Sequence, residues 1–319
     1  MESISVSELG KVRNHFEDSA REVGIAIPTY NEKANLQPLI DRLLNVFESN
    51  KIRGRIVIVD DNSTDGTGQL ADQLSENHEN ISVIHRPGKL GLGSAYKDAF
   101  KFLLNDPDVT IVMEMDADLS HKPEYIPSLL AKIEQGYDVA IGSRYINGGG
   151  IDKEWSEMRK LISKSANFMT VLLVGLNVKD ATSGFRAYDS CVLKTIDLAK
   201  VRTNGYAFQI DMLSQCRKVG CEIGEEPIIF YERKHGKSKL ASHSMLEFVK
   251  TLENAFAQRV CSLVHAAFLS SSIWITNKLW IGIKPLRTAI REANLRSSSN
   301  RSLNDQNLVF ARSDKGLQR

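Results

Sequence analysis

The sequence predicts an α/β fold in which a mostly parallel, Rossmann-like sheet is flanked by helices. Short apolar runs alternate with segments whose apolar residues recur at helical spacing, and this is the pattern of a doubly wound sheet. Several apolar runs also end in polar residues, as strands do when their carboxyl ends carry a ligand site. The chain of 319 residues is long enough for one large α/β domain with additional segments.

The predicted elements follow one another in strand–helix order. Strands are expected at residues 23–27, 55–59, 81–84, 109–115 and 138–142. Helices are expected after Asn35 and at residues 68–77, 95–104 and 123–135. A tight turn containing Gly88, Gly91 and Gly93 separates the third strand from the third helix. These elements together make one continuous α/β unit.

Two amphipathic segments follow this unit. The apolar stripe of the first consists of Trp155, Met158, Leu161, Ile162, Ala166, Met169, Leu172 and Leu173, and basic residues lie nearby at Arg159, Lys160 and Lys164. The second segment covers residues 245–256. One interpretation is that at least half of the apolar positions face the core. The other is that the helices lie on a membrane surface, with basic residues flanking the apolar stripe.

Asp116 and Asp118 follow the hydrophobic run 109–115 at a spacing of two residues. Side chains two apart on a strand point the same way, so we expect both carboxylates at the carboxyl end of a buried strand. Two hard oxygen ligands suit Mg²⁺ or Mn²⁺, whose shell is normally completed by substrate phosphates. A similar motif supplies the nucleophile of aspartyl-phosphate phosphatases. Those enzymes place it near the start of the domain and need a later acidic pair, which does not follow here.

Further polar groups follow the other predicted strands. Asp60 and Asp61 end the second strand, where a carboxylate can cap the following turn or accept hydrogen bonds from a nucleoside. The glycine-rich segment 85–94 lacks the Lys-Ser or Lys-Thr of a P-loop, and Tyr96 stands where a dinucleotide fingerprint needs a small residue. This segment is therefore interpreted as a backbone turn and not as a phosphate loop.

Eight sequence blocks, taken together, resemble the dolichyl- or polyprenyl-phosphate mannosyltransferases, which are inverting enzymes of glycosyltransferase family 2 with the GT-A fold. The blocks are IPTYNE, VDDNSTDGTG, RPGKLGLGSAY, MDADLSHKPEYIP, GSRY, SGFRAY, GYAFQ and ERKHGKSKL, and they lie between residues 23 and 240 in the family's order. The resemblance implies transfer of mannose from GDP-mannose to a dolichyl or polyprenyl phosphate, with inversion and a divalent metal, for glycoconjugate synthesis.

The resemblance also implies roles for individual residues. The guanosine pocket is expected to be lined by Pro28, Tyr30, Glu32, Val59 and Asp61. The metal and the diphosphate are expected at Asp116, Ala117 and Asp118, with the two aspartates as metal ligands. Phosphate groups are expected at Arg144, Arg233 and Lys239. Some microbial relatives have a glutamine ligand where this chain has Ser120, so the third protein ligand stays open.

We expect four segments along the chain. They are a flexible N-terminal segment (residues 1–22), a GT-A catalytic domain (23–240), a membrane-associating helical region (241–290) and a disordered basic tail (291–319). Within the third segment, residues 260–283 are apolar but interrupted, so they are only marginally able to span a bilayer. The formal net charge of +2 argues against a nucleic-acid partner.

Catalysis is expected at the cytoplasmic face of a membrane, which would be the endoplasmic reticulum in a eukaryote and the plasma membrane in a prokaryote. Residues 1–22 have no apolar signal-peptide core, and the four cysteines form no CxxC pair. The resemblance is closest to single-domain catalytic subunits, some of which need small membrane-anchoring partners. Two alternatives remain: a polyprenyl-phosphate glucosyltransferase that uses UDP-glucose, and a non-catalytic nucleotide-binding protein.

Overall fold

The computed structural model of the protein describes residues 22–201, 203 and 206–233. Within these residues the central sheet has seven strands, namely β1 (Glu22–Thr29), β2 (Arg53–Asp60), β3 (Ile81–His85), β4 (Val109–Glu114), β5 (Val139–Ser143), β7 (Arg186–Asp189) and β8 (Ile223–Pro227). Two short parallel strands, β6 (Gly150–Ile151) and β9 (Ile229–Phe230), form a separate pair.

The strand order in the central sheet is β3-β2-β1-β4-β7-β5-β8. Every pairing is parallel except those of β7, which runs antiparallel between β4 and β5. The carboxyl ends of β1, β2, β4 and β5 therefore meet at one edge of the sheet, and β7 begins at that same edge. The predicted mostly parallel sheet is confirmed, and the single reversed strand is an addition that the sequence patterns did not predict.

Helices cover both faces of this sheet. The α-helices of the described residues are α1 (Lys33–Ser49), α2 (Thr67–Asn77), α3 (Leu92–Leu104), α4 (Ile126–Glu134), α5 (Glu157–Val174), α6 (Ser190–Thr195) and α7 (Tyr206–Lys218). In β1, Ile25 and Ile27 pack in the apolar cluster that includes α1, α2 and α4, whereas Ala26 packs in the cluster that includes α3, α6 and α7. Successive residues of a strand thus pack in two different cores, which explains why the strands are apolar on both faces.

Two predicted elements have boundaries that differ from the structure in an informative way. Strand β1 continues through Pro28 to Thr29 because the ladder with β4 has already ended there. Ala26 and Pro28 face the β4 side, so the missing N–H of Pro28 leaves no β4 partner unpaired. The helix predicted at residues 123–135 begins as a 3₁₀ turn, Pro123–Tyr125, before α4.

Helix α5 has an exposed apolar face. Six of its large apolar side chains are between 45% and 66% exposed, namely Met158, Leu161, Ile162, Phe168, Met169 and Leu172. Its buried positions include two polar residues, Asn167 and Thr170. The interpretation that at least half of the apolar stripe faces the core is therefore wrong for this helix.

None of the helices in the described part of the chain combines the length and the hydropathy that a bilayer crossing requires. The N-terminal segment 1–21, the second amphipathic segment 245–256, the apolar stretch 260–283 and the basic tail 291–319 lie outside the described residues. The four predicted segment boundaries stay predictions.

Candidate active site

Two loops at the carboxyl edge of the sheet are tied together by hydrogen bonds. Asn31, in the loop after β1, contacts two residues of the loop after β2. The Asn31 N–H donates to Ser63 Oγ (2.9 Å), and the Thr64 N–H donates to Asn31 Oδ1 (2.8 Å). The Glu32 N–H also donates to Thr67 Oγ1 (2.9 Å). The two segments that carry the predicted guanosine-pocket residues therefore form one rigid rim.

Asp61, a predicted pocket residue, is buried in an ion pair with Arg86. Its other oxygen accepts a hydrogen bond from the Gly91 N–H (3.2 Å), and Arg86 donates to the Gly91 carbonyl (3.0 Å). Gly91 has a φ of +100°, a conformation that L side chains rarely adopt. Asp61 thus pins the glycine-rich turn to the rim, and Arg86 is a site residue that the sequence patterns did not single out.

The remaining predicted pocket residues border the same rim. Tyr30 is half-buried, and the ammonium of Lys89, from the glycine-rich turn, lies 4.4 Å from its ring centroid. Val59 is fully buried, and its carbonyl accepts a hydrogen bond from Thr29 Oγ1 (3.3 Å). Glu32 Oε2 accepts a hydrogen bond from the Asn35 side chain (2.7 Å). Pro28, at the end of β1, completes this group, whose contact with a nucleoside stays a prediction.

Asp116 and Asp118 lie in the turn after β4 and not on the strand. Strand β4 ends at Glu114, so strand alternation, the basis of the prediction, is not what brings the two carboxylates together. The turn depends on Leu119, whose φ is +63°, and on the Ser120 N–H, which donates to Asp118 Oδ1 (3.0 Å). The predicted convergence at this edge stands, but its cause is turn geometry.

The two aspartates concentrate negative charge in a protected place. Burial first, and then the neighbouring Asp118, raise the pKa of Asp116 above its usual value, although the Tyr96 hydroxyl and Arg233 act in the opposite direction. A carboxylate whose charge is only partly compensated is a good ligand for a cation. In the described part of the chain no three or more His, Cys, Asp or Glu side chains are grouped as a complete metal site. Two carboxylates nevertheless fit a Mg²⁺ or Mn²⁺ ion whose shell substrate phosphates complete.

Ser120 and Ala117 are buried within the same turn. The Ser120 backbone contacts both Asp118 and the segment after β9, because its carbonyl accepts a hydrogen bond from the Tyr231 N–H (3.0 Å). Ser120 thus connects the aspartate turn to the segment that carries Arg233. Its role as a third ligand stays open.

Arg233 reaches the aspartate turn, whereas Arg144 is already paired. Arg233 lies 2.9 Å from Asp118 Oδ2, through one of its terminal nitrogens. The guanidinium of Arg144 donates to both oxygens of the buried Asp180, at 2.7 Å each, and also to Thr182 Oγ1 (2.7 Å). Phosphate contacts by these two residues stay predictions, and Lys239 lies outside the described residues.

Three buried groups near the site were not predicted as such. Asp180 orients Arg144, and the Tyr96 hydroxyl donates to Asp116 Oδ1 (3.1 Å). His121 stacks on Phe185, with ring centroids 5.2 Å apart, and burial is the first cause that lowers its pKa. Tyr96 and His121 lie inside sequence blocks that were quoted for other residues, so block membership was the one signal that could have found them. Asp180 lies outside all eight blocks, and nothing in the sequence pattern pointed to it.

The chain is similar in sequence to a family of glycosyltransferases and to two curated proteins whose names refer to mannosyl transfer or synthesis. The family model described as "Glycosyl transferase family 2" matches residues 24–197. The polyprenol monophosphomannose synthase of Mycolicibacterium smegmatis is 41% identical over 224 residues, covering 70% of this chain and 82% of the relative. The undecaprenyl-phosphate mannosyltransferase of Micrococcus luteus is 39% identical over 215 residues, covering 67% and 86%.

Solved structures share the fold at low sequence identity. The mannosyl-3-phosphoglycerate synthase of Rubrobacter xylanophilus superposes with a TM-score of 0.55 at 19% identity, covering 79% of this chain and 81% of that chain. The Mycobacterium tuberculosis glucosyl-3-phosphoglycerate synthase, crystallised with Mn²⁺, UDP and glucosyl-3-phosphoglycerate, superposes with a TM-score of 0.54 at 18% identity, covering 81% of this chain and 86% of that chain. The sheet described above is thus GT-A-like, and the chain belongs to glycosyltransferase family 2 and is a glycosyltransferase.

Proposed function

We propose that the protein transfers mannose from GDP-mannose to a dolichyl or polyprenyl phosphate, with inversion at the anomeric carbon. The observation that carries the proposal is the turn that holds the half-buried Asp116 and the buried Asp118 with Arg233 beside it, in a chain about 40% identical to two enzymes named for mannosyl transfer to polyprenols. The two carboxylates can hold a divalent cation, and Arg233 adds a positive charge beside them. A nucleoside-diphosphate donor needs both the metal ion and this positive charge.

The acceptor chemistry explains why no general base has to be assigned. A phosphate monoester has a second pKa of about 6, so it is largely dianionic at neutral pH and already nucleophilic. The site must instead hold two anions close together, which requires positive charge. When bound, the divalent ion would stabilise the negative charge that develops on the leaving nucleoside diphosphate. Direct attack on the anomeric carbon then gives a β-mannosyl phospholipid from an α-mannosyl donor.

The residues divide into three groups in this proposal. Asp116 and Asp118 hold the ion, with Ala117 and Ser120 forming the turn around it. The phosphate groups are bound by Arg233, by Lys239 and by Arg144, whose orientation Asp180 fixes. The guanosine occupies the rim formed by Pro28, Tyr30, Glu32, Val59 and Asp61, which the Asn31 hydrogen bonds make rigid before the donor arrives.

We also propose that the reaction takes place at a membrane surface, because the acceptor is a lipid, and that it does so on the cytoplasmic side. The exposed apolar face of α5 and its basic neighbour Lys164 support this part of the proposal, because such a helix can lie in the headgroup region with its apolar side down. The need for a small membrane-anchoring subunit rests on the family resemblance alone. Activity of the purified chain with detergent-dispersed acceptor would make that subunit unnecessary for the chemistry.

One assay separates the proposal from its alternatives. The purified chain is incubated with a polyprenyl phosphate and either radiolabelled GDP-mannose or radiolabelled UDP-glucose, with Mn²⁺ or with EDTA. We expect label in the organic phase from GDP-mannose and only with the metal. Label from UDP-glucose instead would establish the glucosyltransferase, and no label from either donor would contradict transfer to this acceptor.

A further inference from the structure

Tyr96 is a buried polar residue that the proposed reaction has not yet used. It lies in the first half of α3, directly after the glycine-rich turn, and its side chain is fully buried. Its ring stacks on Phe208 of α7, with centroids 5.7 Å apart and planes inclined by 14°, and on Phe100, with centroids 6.0 Å apart. These contacts hold the ring in one orientation, so the direction of the hydroxyl is set by packing.

Gly93 makes this position possible. A Cβ at Gly93 would lie 2.6 Å from the Thr203 carbonyl and 2.8 Å from Phe208, which is closer than real Cβ contacts. Only glycine therefore allows the start of α3 to approach the segment that carries Phe208. The consequence, one helical turn later, is that the Tyr96 hydroxyl reaches Asp116 and donates to its Oδ1 (3.1 Å).

The other oxygen of Asp116, Oδ2, accepts no hydrogen bond from the described residues, and Asp116 is only half-buried. Gly184 lies beside this carboxyl group, because a Cβ there would be 3.4 Å from Oδ2 and 3.8 Å from Oδ1. Asp116 is thus held at Oδ1 by a buried donor and left accessible at Oδ2. Outer partners of this kind orient metal ligands in many proteins, and their loss typically weakens metal affinity about 10- to 100-fold.

We infer that Tyr96 is a positioning residue, whose hydroxyl orients Asp116 so that Oδ2 can bind the divalent cation. The inference rests on the proposed function, since it takes the Asp116–Asp118 turn as the metal site. In this role Tyr96 contacts no substrate. Loss of its hydroxyl should therefore weaken metal binding more than it lowers the turnover at saturating metal.

The test compares two Tyr→Phe variants of the full chain. Tyr96→Phe removes the hydroxyl and keeps the stacked ring. Tyr188→Phe is the matched control, because Tyr188 is also fully buried and donates to a carboxylate at 3.1 Å, but that carboxylate is Glu114. Binding of Mn²⁺ in the presence of GDP is followed through the electron paramagnetic resonance signal of free Mn²⁺, and thermal melts report folding.

We expect the apparent Kd for Mn²⁺ to rise about 10-fold or more in Tyr96→Phe, the lower end of the range for lost outer partners. In Tyr188→Phe it should stay within about 2-fold of wild type. At saturating Mn²⁺, Tyr96→Phe should regain most of the wild-type transfer rate. Equal Mn²⁺ affinity in Tyr96→Phe and wild type overturns the inference while leaving the proposed function intact. Wild-type protein that binds no Mn²⁺ overturns both.

A second variant keeps the inference open to test if Tyr96→Phe does not fold. Gly184→Val would place a branched side chain against the Asp116 carboxyl group and leave Tyr96 in place, since the Cβ alone would already lie 3.4 Å from Oδ2 and 3.8 Å from Oδ1. If the orientation of Asp116 governs metal binding, this variant also binds Mn²⁺ at least about 10-fold more weakly. Unchanged affinity in a folded Gly184→Val chain would show that orientation is unimportant, and would overturn the inference independently.

Discussion

Asp118 uses its two carboxylate oxygens for two different contacts. Oδ1 accepts a hydrogen bond from the Ser120 N–H at 3.0 Å, and Oδ2 lies 2.9 Å from Arg233. A cation at Oδ2 would compete with Arg233 for the same oxygen. The proposed phosphate contact of Arg233 therefore requires this guanidinium to exchange a carboxylate for a phosphate oxygen, which it also binds well.

Asp118→Asn should abolish most of the transfer, because the amide keeps the size of the side chain but loses its charge. A metal ion contributes several kcal/mol to transition-state stabilisation, so we expect initial rates at saturating Mn²⁺ to fall by about 100-fold or more. Asp106→Asn is the control, since Asp106 pairs with Arg55 at 3.0 Å, away from the predicted site residues. A wild-type rate in Asp118→Asn would remove this residue from the metal site.

Asp180→Asn should destabilise the protein, because it leaves the buried charge of Arg144 without its partner. Loss of one member of a buried pair costs about 3–5 kcal/mol. Burial alone would raise the pKa of Asp180, but Arg144 and the hydrogen bonds from it hold that pKa below its usual value of 3.8. The stabilisation is therefore present above this value and is lost as the pH falls below it.

Urea unfolding of Asp180→Asn and wild type, at pH 7 and at acid pH, measures this difference. Glu232→Gln is the comparison, because the Glu232–Arg159 pair is exposed and such pairs contribute about 0–1 kcal/mol. Equal free energies of unfolding for Asp180→Asn and Glu232→Gln would contradict a structural role for the buried pair.

Helix α5 shows what a sequence pattern decides and what it leaves open. Helical spacing predicted its apolar stripe, but periodicity does not say whether a stripe faces a core or another apolar phase. In the structure the sheet is already covered by other helices, and Leu161 and Phe168 remain largely exposed. The order of strands and helices could be predicted because hydrophobic periodicity and turn residues are local features of the sequence. The reversed strand β7 could not be predicted, because the direction of a strand in a sheet depends on distant partners.

Polar substitution of the α5 face should weaken membrane binding without a loss of stability. We expect Leu161→Gln/Phe168→Gln to sediment less with phosphatidylglycerol vesicles than wild type does, with Phe102→Gln on α3 as an exposed control. If these side chains were in the core, each substitution would instead cost about 2 kcal/mol or more in urea unfolding. Unchanged vesicle binding would argue against α5 as the membrane contact.

Over the whole molecule, the site residues were partly predictable from the sequence, whereas the residues that orient them were not. Asp116 and Asp118 follow β4 and Asp61 follows β2, so they lie at the carboxyl edge of the sheet, as expected for residues that follow parallel strands. Arg233 follows β9, which is not part of that sheet, and contacts Asp118 from there. Their orienting partners come from elsewhere in the chain, and sequence spacing carries no information about such contacts. Arg86, for example, reaches Asp61 across 25 residues.

The stereochemistry of the product depends on how the donor site and the acceptor site face each other. A single direct attack predicts a β-linked mannosyl phosphate from the α-linked donor. Nuclear magnetic resonance of the purified lipid product would determine the anomeric configuration. An α-linked product would require a second displacement and would contradict the proposed direct transfer.

The most direct test of the central claim is the rate at which the purified chain transfers mannose from labelled GDP-mannose to a polyprenyl phosphate. We predict transfer that stops with EDTA and returns when Mn²⁺ or Mg²⁺ is added back, and no comparable recovery in Asp118→Asn. The absence of mannosyl lipid from wild-type protein with metal, donor and dispersed acceptor present would contradict the account.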